Sequence, residues 1–176
     1  MDAVVVYESL WGNTAAVAAA IAEGLGEGAV AMPTSEATRD LVAGARIVVA
    51  GAPVHGMSLP TESSRESARA KPQGHERLAA DLSHRSMRDW LTDLPRGPML
   101  GAAFETKVRG PLGRGAARSI ASTLEAHGVT LLDGPRGFTV HMKTSSSEHA
   151  ALLADGELEA AREWGEALRD RANSRL

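Results

Sequence analysis

Two kinds of segment alternate along the chain. Short runs of apolar, often β-branched residues are followed by longer alanine-rich segments in which apolar residues recur every three or four positions. The short runs are typical of buried strands and the longer segments of amphipathic helices, so their alternation predicts βα units on a parallel sheet. The predicted strands span 3–7, 29–32, 45–51 and 99–104, with an interrupted fifth strand at 129–132 and 138–140.

Helices are expected between these strands and after the last one. They are predicted at 14–25, 36–42, 83–94, 113–127 and 157–172. Ser83 is expected to cap the third helix, because a serine side chain can accept a hydrogen bond from a free N–H of the first turn. The apolar stripe of the last helix is expected to contain Leu158, Ala161, Gly165 and Leu168.

Residues 58–80 interrupt this pattern. The segment is polar, contains proline and glycine and has no apolar period, so it is interpreted as an irregular excursion with a helical turn at 62–70. Its length is typical of a lid or a mobile loop. The five βα units predict one α/β domain over residues 1–176, in which three layers (α/β/α) are built on a doubly wound five-stranded parallel sheet of order 2-1-3-4-5.

Composition narrows the classes of function. With 43% hydrophobic residues in 176, the chain has enough apolar material for one sizeable core. A net charge of −3 gives no sign of nucleic-acid binding, and no apolar run reaches the length of a membrane span, so a soluble cytoplasmic protein is expected. The histidines lack metal-ligand spacing, and no metal site is predicted. Because cysteine is absent, any redox chemistry must belong to a bound cofactor.

The strongest chemical signal follows the first predicted strand, where the sequence runs from Glu8 to Thr14 into a helix. The free N–H groups of a helix start attract anions, and Ser9 and Thr14 add hydroxyl donors, so the loop is interpreted as a phosphate site. A Walker loop requires a lysine and a dinucleotide fingerprint requires three glycines, and the loop has neither. The alternative is an ordinary capped helix start.

Residues 6–14, Val-Tyr-Glu-Ser-Leu-Trp-Gly-Asn-Thr, resemble the flavodoxin signature hydrophobic-x-Tyr-x-Ser-x-aromatic-Gly-Asn-Thr. The resemblance implies a flavodoxin-like fold that binds flavin mononucleotide (FMN). It places the phosphate in the first loop and the isoalloxazine ring between the loops after strands three and four, at 51–57 and 104–110. The cofactor-binding residues that it implies are Ser9, Leu10, Trp11, Gly12, Asn13, Thr14, Pro53, Val54, His55, Gly56, Phe104, Glu105, Thr106, Lys107 and Gly110.

The chain departs from the flavodoxin pattern in its ring loops. Flavodoxins usually stack a tryptophan and a tyrosine on the flavin, and neither occurs here, so ring contacts are expected from His55, Met57 and Phe104. The resemblance also implies that Gly56, as a glycine beside the flavin N5, allows a peptide to turn its carbonyl toward that atom. No catalytic residue is assigned.

The resemblance implies an electron-transfer flavoprotein whose partner is a redox protein or a small-molecule acceptor. Two alternatives are an FMN-dependent oxidoreductase of quinone-like or porphyrinogen-like substrates, and a binding module of the same fold without redox activity. The sequence does not indicate an oligomeric state. A basic cluster after strand four favours an anionic substrate or an acidic partner, with a solvated surface as the alternative; it consists of Lys107, Arg109, Arg114 and Arg118.

Overall fold

Parallel strands form the centre of the protein. The computed structural model describes residues 1–71, 78–97, 99–110 and 115–175. The strands are β1 (Ala3–Tyr7), β2 (Ala29–Pro33), β3 (Ile47–Pro53), β4 (Met99–Val108), β5 (Val129–Leu131) and β6 (Arg136–Val140). Their order is β2-β1-β3-β4-β5, and β6 also pairs with β4. The predicted doubly wound α/β fold and its strand order are confirmed, and the carboxyl ends of the strands meet along one edge of the sheet.

The fifth position of the sheet is shared by two short strands. Residues 99–101 of β4 pair with β5, and residues 104–108 pair with β6. The predicted interruption of the fifth strand is therefore confirmed. The expected loop at 104–110 is wrong over residues 104–108, because pairing with β6 extends β4 to Val108.

Helices cover both faces of the sheet. They are α1 (Asn13–Leu25), α2 (Arg39–Ala43), α3 (Glu62–Arg69), α4 (Met87–Thr92), α5 (Ala116–Ala126) and α6 (Glu157–Asn173). Apolar residues of α1 and α6 pack on one face, and those of α2, α4 and α5 on the other. In the part of the chain that the structure describes, no helix combines the length and apolar character that spanning a membrane requires.

Helices α1 and α6 approach each other at two glycines. A Cβ atom on Gly24 would lie 1.9 Å from the Arg162 carbonyl oxygen, and one on Gly165 would lie 2.3 Å from the Ile21 carbonyl oxygen. The two backbones can therefore touch only where side chains are missing. Leu158, expected on the buried stripe of α6, is 46% exposed, because the stripe of this helix begins one turn later at Ala161.

Two further sequence expectations change. Ser86 rather than Ser83 caps α4, accepting a hydrogen bond from Asp89 N–H, while Ser83 bonds to Asp81. The excursion at 58–80 contains the full helix α3 rather than a single turn. Its start is fixed by a capping box, in which Thr61 Oγ1 accepts from Ser64 N–H at 3.2 Å and Ser64 Oγ accepts from Thr61 N–H at 2.9 Å. Residues 72–77 lie outside the described residues.

Candidate functional site

A cavity of about 570 Å³ lies at the carboxyl edge of the sheet, where the loops after β1, β3 and β4 meet. This is the position at which doubly wound sheets place their ligands, because the strand order reverses there. Ten of the residues expected to bind the cofactor line the cavity: Ser9, Leu10, Trp11, Asn13, Thr14, Pro53, Val54, His55, Thr106 and Lys107.

The loop between β1 and α1, called here the phosphate loop (residues 9–14), presents free hydrogen-bond donors. The Ser9 hydroxyl and the Trp11 indole N–H are buried and have no hydrogen-bond partner. Within the described ranges we find no acceptor for the backbone N–H groups of residues 10–15. Buried donors without partners are costly, and a phosphate dianion is the kind of group that satisfies several at once. The donor set therefore fits a phosphate.

Gly12 gives the phosphate loop its shape. Its φ of 87° is left-handed, which favours glycine, and it immediately precedes the first residue of α1. A Cβ atom at this position would also lie 2.9 Å from the His149 Cβ. Gly12 is not among the residues that line the cavity. Its role in the structure is to turn the backbone into α1 beneath the segment that carries His149.

Two other segments hold the phosphate loop in place. The Leu152 N–H donates to Asn13 Oδ1 at 3.1 Å, and the Ala150 N–H donates to the Trp11 carbonyl at 3.0 Å. From β4, Thr106 Oγ1 lies 2.8 Å from Thr14 Oγ1. The Asn13 side-chain oxygen thus fixes the chain that follows β6.

A buried ion pair lies behind the phosphate loop. Glu8 is fully buried, and one of its carboxylate oxygens accepts from Arg65 of α3 while the other accepts from Met87 N–H at 2.8 Å. Burial raises the pKa of Glu8, and the Met87 N–H and the Arg65 guanidinium oppose that rise. Arg65 also donates to the His84 carbonyl at 2.7 Å. The excursion is therefore anchored to the end of β1 by charge.

His84 connects this ion pair to the phosphate loop. Its Nε2 accepts from Ser9 N–H at 3.2 Å, which places the ring proton on Nδ1, 3.8 Å from Asp81 Oδ2. Burial lowers the pKa of His84, Arg65 acts in the same direction, and Asp81 opposes them. A neutral ring is the form that can accept this bond. His84 therefore fixes the Ser9 backbone and leaves the Ser9 hydroxyl free to face the cavity.

The loop after β3 is a tight turn. His55 and Ser58 exchange backbone hydrogen bonds of 2.9 and 3.2 Å, and Gly56 and Met57 have φ values of 57° and 62°, the conformation of a type I′ turn. The His55 Nδ1 lies 3.1 Å from Ser64 Oγ, and burial, aided by Arg65, lowers the pKa of His55. His55 lines the cavity, whereas Gly56 does not.

The structure places two expected cofactor residues of β4 elsewhere. Phe104 is fully buried in the core, with its ring centroid 6.2 Å from that of Phe138. Glu105 accepts hydrogen bonds from the N–H groups of Gly115 (3.1 Å) and Ala117 (2.9 Å) at the start of α5. Successive side chains of a strand point to opposite faces, so these two enter the two layers of the protein. The Phe104 side chain, expected to contact the flavin ring, therefore lies in the core, and Phe104, Glu105 and Gly110 are not among the residues that line the cavity.

Sequence reasoning missed part of the lining. The additional residues are Lys71, Val108, Val140, His141, Met142, Lys143, Thr144 and Leu152. Most follow β6 and form no local motif. The predicted basic cluster is divided: Lys107 lines the cavity, Arg109 and Arg118 are exposed outside it, and Arg114 lies outside the described residues. In the described ranges, no three acidic or histidine side chains are grouped as metal ligands.

No family model and no curated protein matches the sequence. Solved structures do match. A flavodoxin from the domain Archaea is 20% identical, with a TM-score of 0.63 over 98% of this chain and 99% of that one. An oxidised flavodoxin 2 from Bacillus cereus is 12% identical, with a TM-score of 0.67 over 97% and 99%. The chain has the flavodoxin fold.

The same fold occurs inside a longer protein. The flavodiiron core from Synechocystis sp. PCC6803 is 15% identical and matches with a TM-score of 0.63, over 100% of this chain but 37% of that one.

Proposed function

We propose that this protein binds FMN in the cavity and transfers electrons through it. When bound, the flavin supplies the redox chemistry, since the chain has no cysteine and no cluster of three or more potential metal ligands is found among the described residues. The flavodoxin fold of the solved relatives agrees with this assignment.

The observation that carries the proposal is the set of buried donors without partners in the phosphate loop. The Ser9 hydroxyl and the Trp11 indole N–H join the free backbone N–H groups at the start of α1. Each hydrogen bond to a charged group contributes about 1.5–3 kcal/mol, so several together can hold a dianion without a side-chain cation in the loop. A terminal phosphate monoester satisfies these donors.

The remaining lining residues suit the rest of the cofactor. Leu10, Val54 and Leu152 offer apolar contact, while Thr106 and His55 offer polar atoms at the end nearest β3 and β4. Cavities of roughly 300–1,000 Å³ with few polar groups are typical for small ligands, and this one falls within that range at about 570 Å³. FMN rather than FAD is proposed, because one phosphate loop seats one terminal phosphate.

The test is to identify the cofactor directly. Purified protein is heated, and the released chromophore is separated by chromatography; FMN is expected. Apo-protein is then titrated against FMN, FAD and riboflavin while flavin fluorescence is followed. FMN is expected to be quenched at micromolar concentration and FAD to bind more weakly. Recovery of FAD, or no quenching by FMN, would contradict the proposal.

A further inference from the structure

The chain contains three lysines, and all three line the cavity. Of its 19 basic residues, only Lys71, Lys107 and Lys143 are lysines, and the other sixteen are arginines. Among the described residues, no arginine, aspartate or glutamate lines the cavity. The whole chain carries more acidic than basic residues, 22 against 19. The cavity therefore has a positive charge that the overall composition does not explain.

The three lysines, called here the lysine rim, come from separate segments. Lys71 follows α3, Lys107 lies near the end of β4, and Lys143 follows β6. No spacing in the sequence relates them, and only the fold brings them to one cavity. Two of them, Lys71 and Lys143, are exposed, and none forms an ion pair with another described residue. The ammonium groups of Lys71 and Lys143 are thus available to an anion in the cavity.

The position of the lysine rim separates it from the phosphate loop. Neighbouring strands are about 4.8 Å apart, so β4 and β6 lie roughly 10 and 14 Å from β1 across the sheet. Lys143 follows β6 and stands on the side of the cavity nearest that strand. Lys107 lines the cavity, but its amine end leaves it: a Cβ atom on Gly137 would lie 2.5 Å from Lys107 Cε, and Gly137 lines a second cavity with Glu105 and Glu125 on the α5 face of the sheet. The phosphate loop supplies its own donors, so the ammonium groups nearest the cavity are those of Lys71 and Lys143, and Lys107 adds a more distant positive charge.

Apolar side chains accompany these charges. Met142, 81% exposed, lies beside Lys143, and Val108 lies beside Lys107; both line the cavity with Val140. A cavity edge that combines ammonium groups with exposed apolar surface is complementary to a ligand with an apolar body and anionic substituents. A flexible lysine side chain also accommodates a wider range of anion geometries than the rigid, planar guanidinium of an arginine does.

We propose that the lysine rim binds a small organic carboxylate with an apolar, conjugated body, and that this class of molecule exchanges electrons at the site. The inference rests on the proposed function for its redox part, whereas the binding of the carboxylate stands on the lysine rim alone. The inference limits the class of redox partner to small anionic molecules, where the sequence had allowed either a redox protein or a small-molecule acceptor.

Lysine labelling provides the first test. The protein has three lysine amines and one α-amino group, so acetylation can be followed at each site by mass spectrometry, with the α-amine as internal reference. FMN-loaded protein is labelled with anthraquinone-2-carboxylate, with the uncharged anthraquinone-2-carboxamide, or with neither. The carboxylate is expected to protect Lys71 and Lys143 most, and the amide to protect neither. Equal protection by both probes would overturn the proposal.

Variants provide the second test. Changing all three lysines to glutamine is expected to weaken carboxylate binding about tenfold or more at low salt, and raising salt from about 20 to 500 mM should weaken it in the wild type. A control with the same change in charge is Arg96→Gln, Arg118→Gln and Arg175→Gln, all exposed outside the cavity. That control is expected to bind as the wild type does, and an equal loss would show that only net charge matters.

The outcomes separate this inference from the proposed function. If the lysines instead hold the FMN phosphate, FMN alone protects them from acetylation, and the triple variant loses affinity for FMN but not for riboflavin. That result overturns the inference, while the proposal that the protein binds FMN still stands. If FMN does not bind, the carboxylate is still expected to bind the apo-protein and protect the lysines. Failure of the carboxylate to bind either form overturns the inference.

Discussion

The two sides of the cavity are built in opposite ways. Behind the phosphate loop, Glu8 and Arg65 are buried and share a network with His84 that fixes Ser9. The lysine rim, in contrast, has two exposed side chains, Lys71 and Lys143, and none of its three lysines forms an ion pair with another described residue. One side is held by many short contacts, and the other carries charge on flexible stems.

The difference separates two tasks. A cofactor that stays bound gains from donors fixed before it arrives, because less entropy is lost when it binds. A molecule that enters and leaves gains from long-range attraction and weaker contacts. We infer that the phosphate loop holds the resident group and that the lysine rim receives the exchanged one.

The largest effect is expected from Arg65→Met. Removing one partner of a buried ion pair leaves the other charge without compensation, which costs about 3–5 kcal/mol. Urea unfolding should therefore give a free energy of unfolding lower by that amount. Arg69→Met, on the same helix but exposed and paired only with Glu66, is the matched control and should change it by about 0.5 kcal/mol or less.

A double variant tests the cause of that loss. With Glu8→Gln added to Arg65→Met, the buried charge is gone while an acceptor for Met87 N–H remains. At least half of the lost stability is expected to return. If the double variant is as unstable as Arg65→Met alone, the loss of stability comes from the packing of α3 and not from the unpaired charge of Glu8.

Ser9→Ala with Thr14→Val comes next. Two hydroxyls of the phosphate loop are lost, and FMN binding is expected to weaken by roughly 2–4 kcal/mol because bonds to a charged group are lost. Riboflavin has no phosphate and should bind nearly as before. Fluorescence titration with both ligands decides the matter, since equal losses would place the phosphate elsewhere.

A smaller effect is expected from the protonation of His84. Its pKa is lowered in the folded protein, so the unfolded state takes up a proton first as pH falls below the ordinary value of 6.5, and the free energy of unfolding decreases. Below the lowered pKa, the charged ring can no longer accept from Ser9 N–H. Losing one hydrogen bond should weaken FMN binding about three- to tenfold.

His84→Gln tests this assignment, because glutamine keeps an acceptor for Ser9 N–H but does not titrate. Its riboflavin and FMN affinities and its free energy of unfolding, measured from pH 8 to pH 5, should depend less on pH than those of the wild type. His127→Gln is the control and should retain the wild-type profile, because His127 lies at the end of α5 outside the cavity, with its Nδ1 2.8 Å from the Thr123 carbonyl. An unchanged profile in His84→Gln would assign the pH dependence to the phosphate itself or to His55.

The contrast between the two sides also explains what the sequence could predict. The phosphate loop is local: its six residues follow β1 directly and include the start of α1, and its geometry follows from helix ends and from Gly12. Strand order followed from the alternation of elements. The turn between residues 132 and 138 predicted the interruption of the fifth strand. The greater length of β4 could not be predicted, because its extension to Val108 depends on pairing with β6.

The rest of the site is made by long-range contacts. Arg65 lies in a polar helix whose sequence resembles a solvated surface, and its burial depends on a carboxylate 57 positions away. The lysine rim had a signal in composition, three lysines among 19 basic residues, but only the fold shows that they meet. The predicted strand ended at Phe104 because the pairing with β6 that extends β4 to Val108 has no local signal in the sequence.

The smallest effect is expected on the stability of the protein when the lysine rim is removed. Lysines that pair with no described residue contribute little to the folded state, so changing Lys71, Lys107 and Lys143 to glutamine should shift the free energy of unfolding by about 0.5 kcal/mol or less. Relief of repulsion among them would make the shift stabilising. Urea unfolding at about 20 and 500 mM salt separates the contribution of this repulsion from the rest of the shift, because repulsion is screened at high salt. A loss of several kcal/mol would mean that the lysine rim is structural, like the Arg65 side, and the contrast between the two sides would not hold.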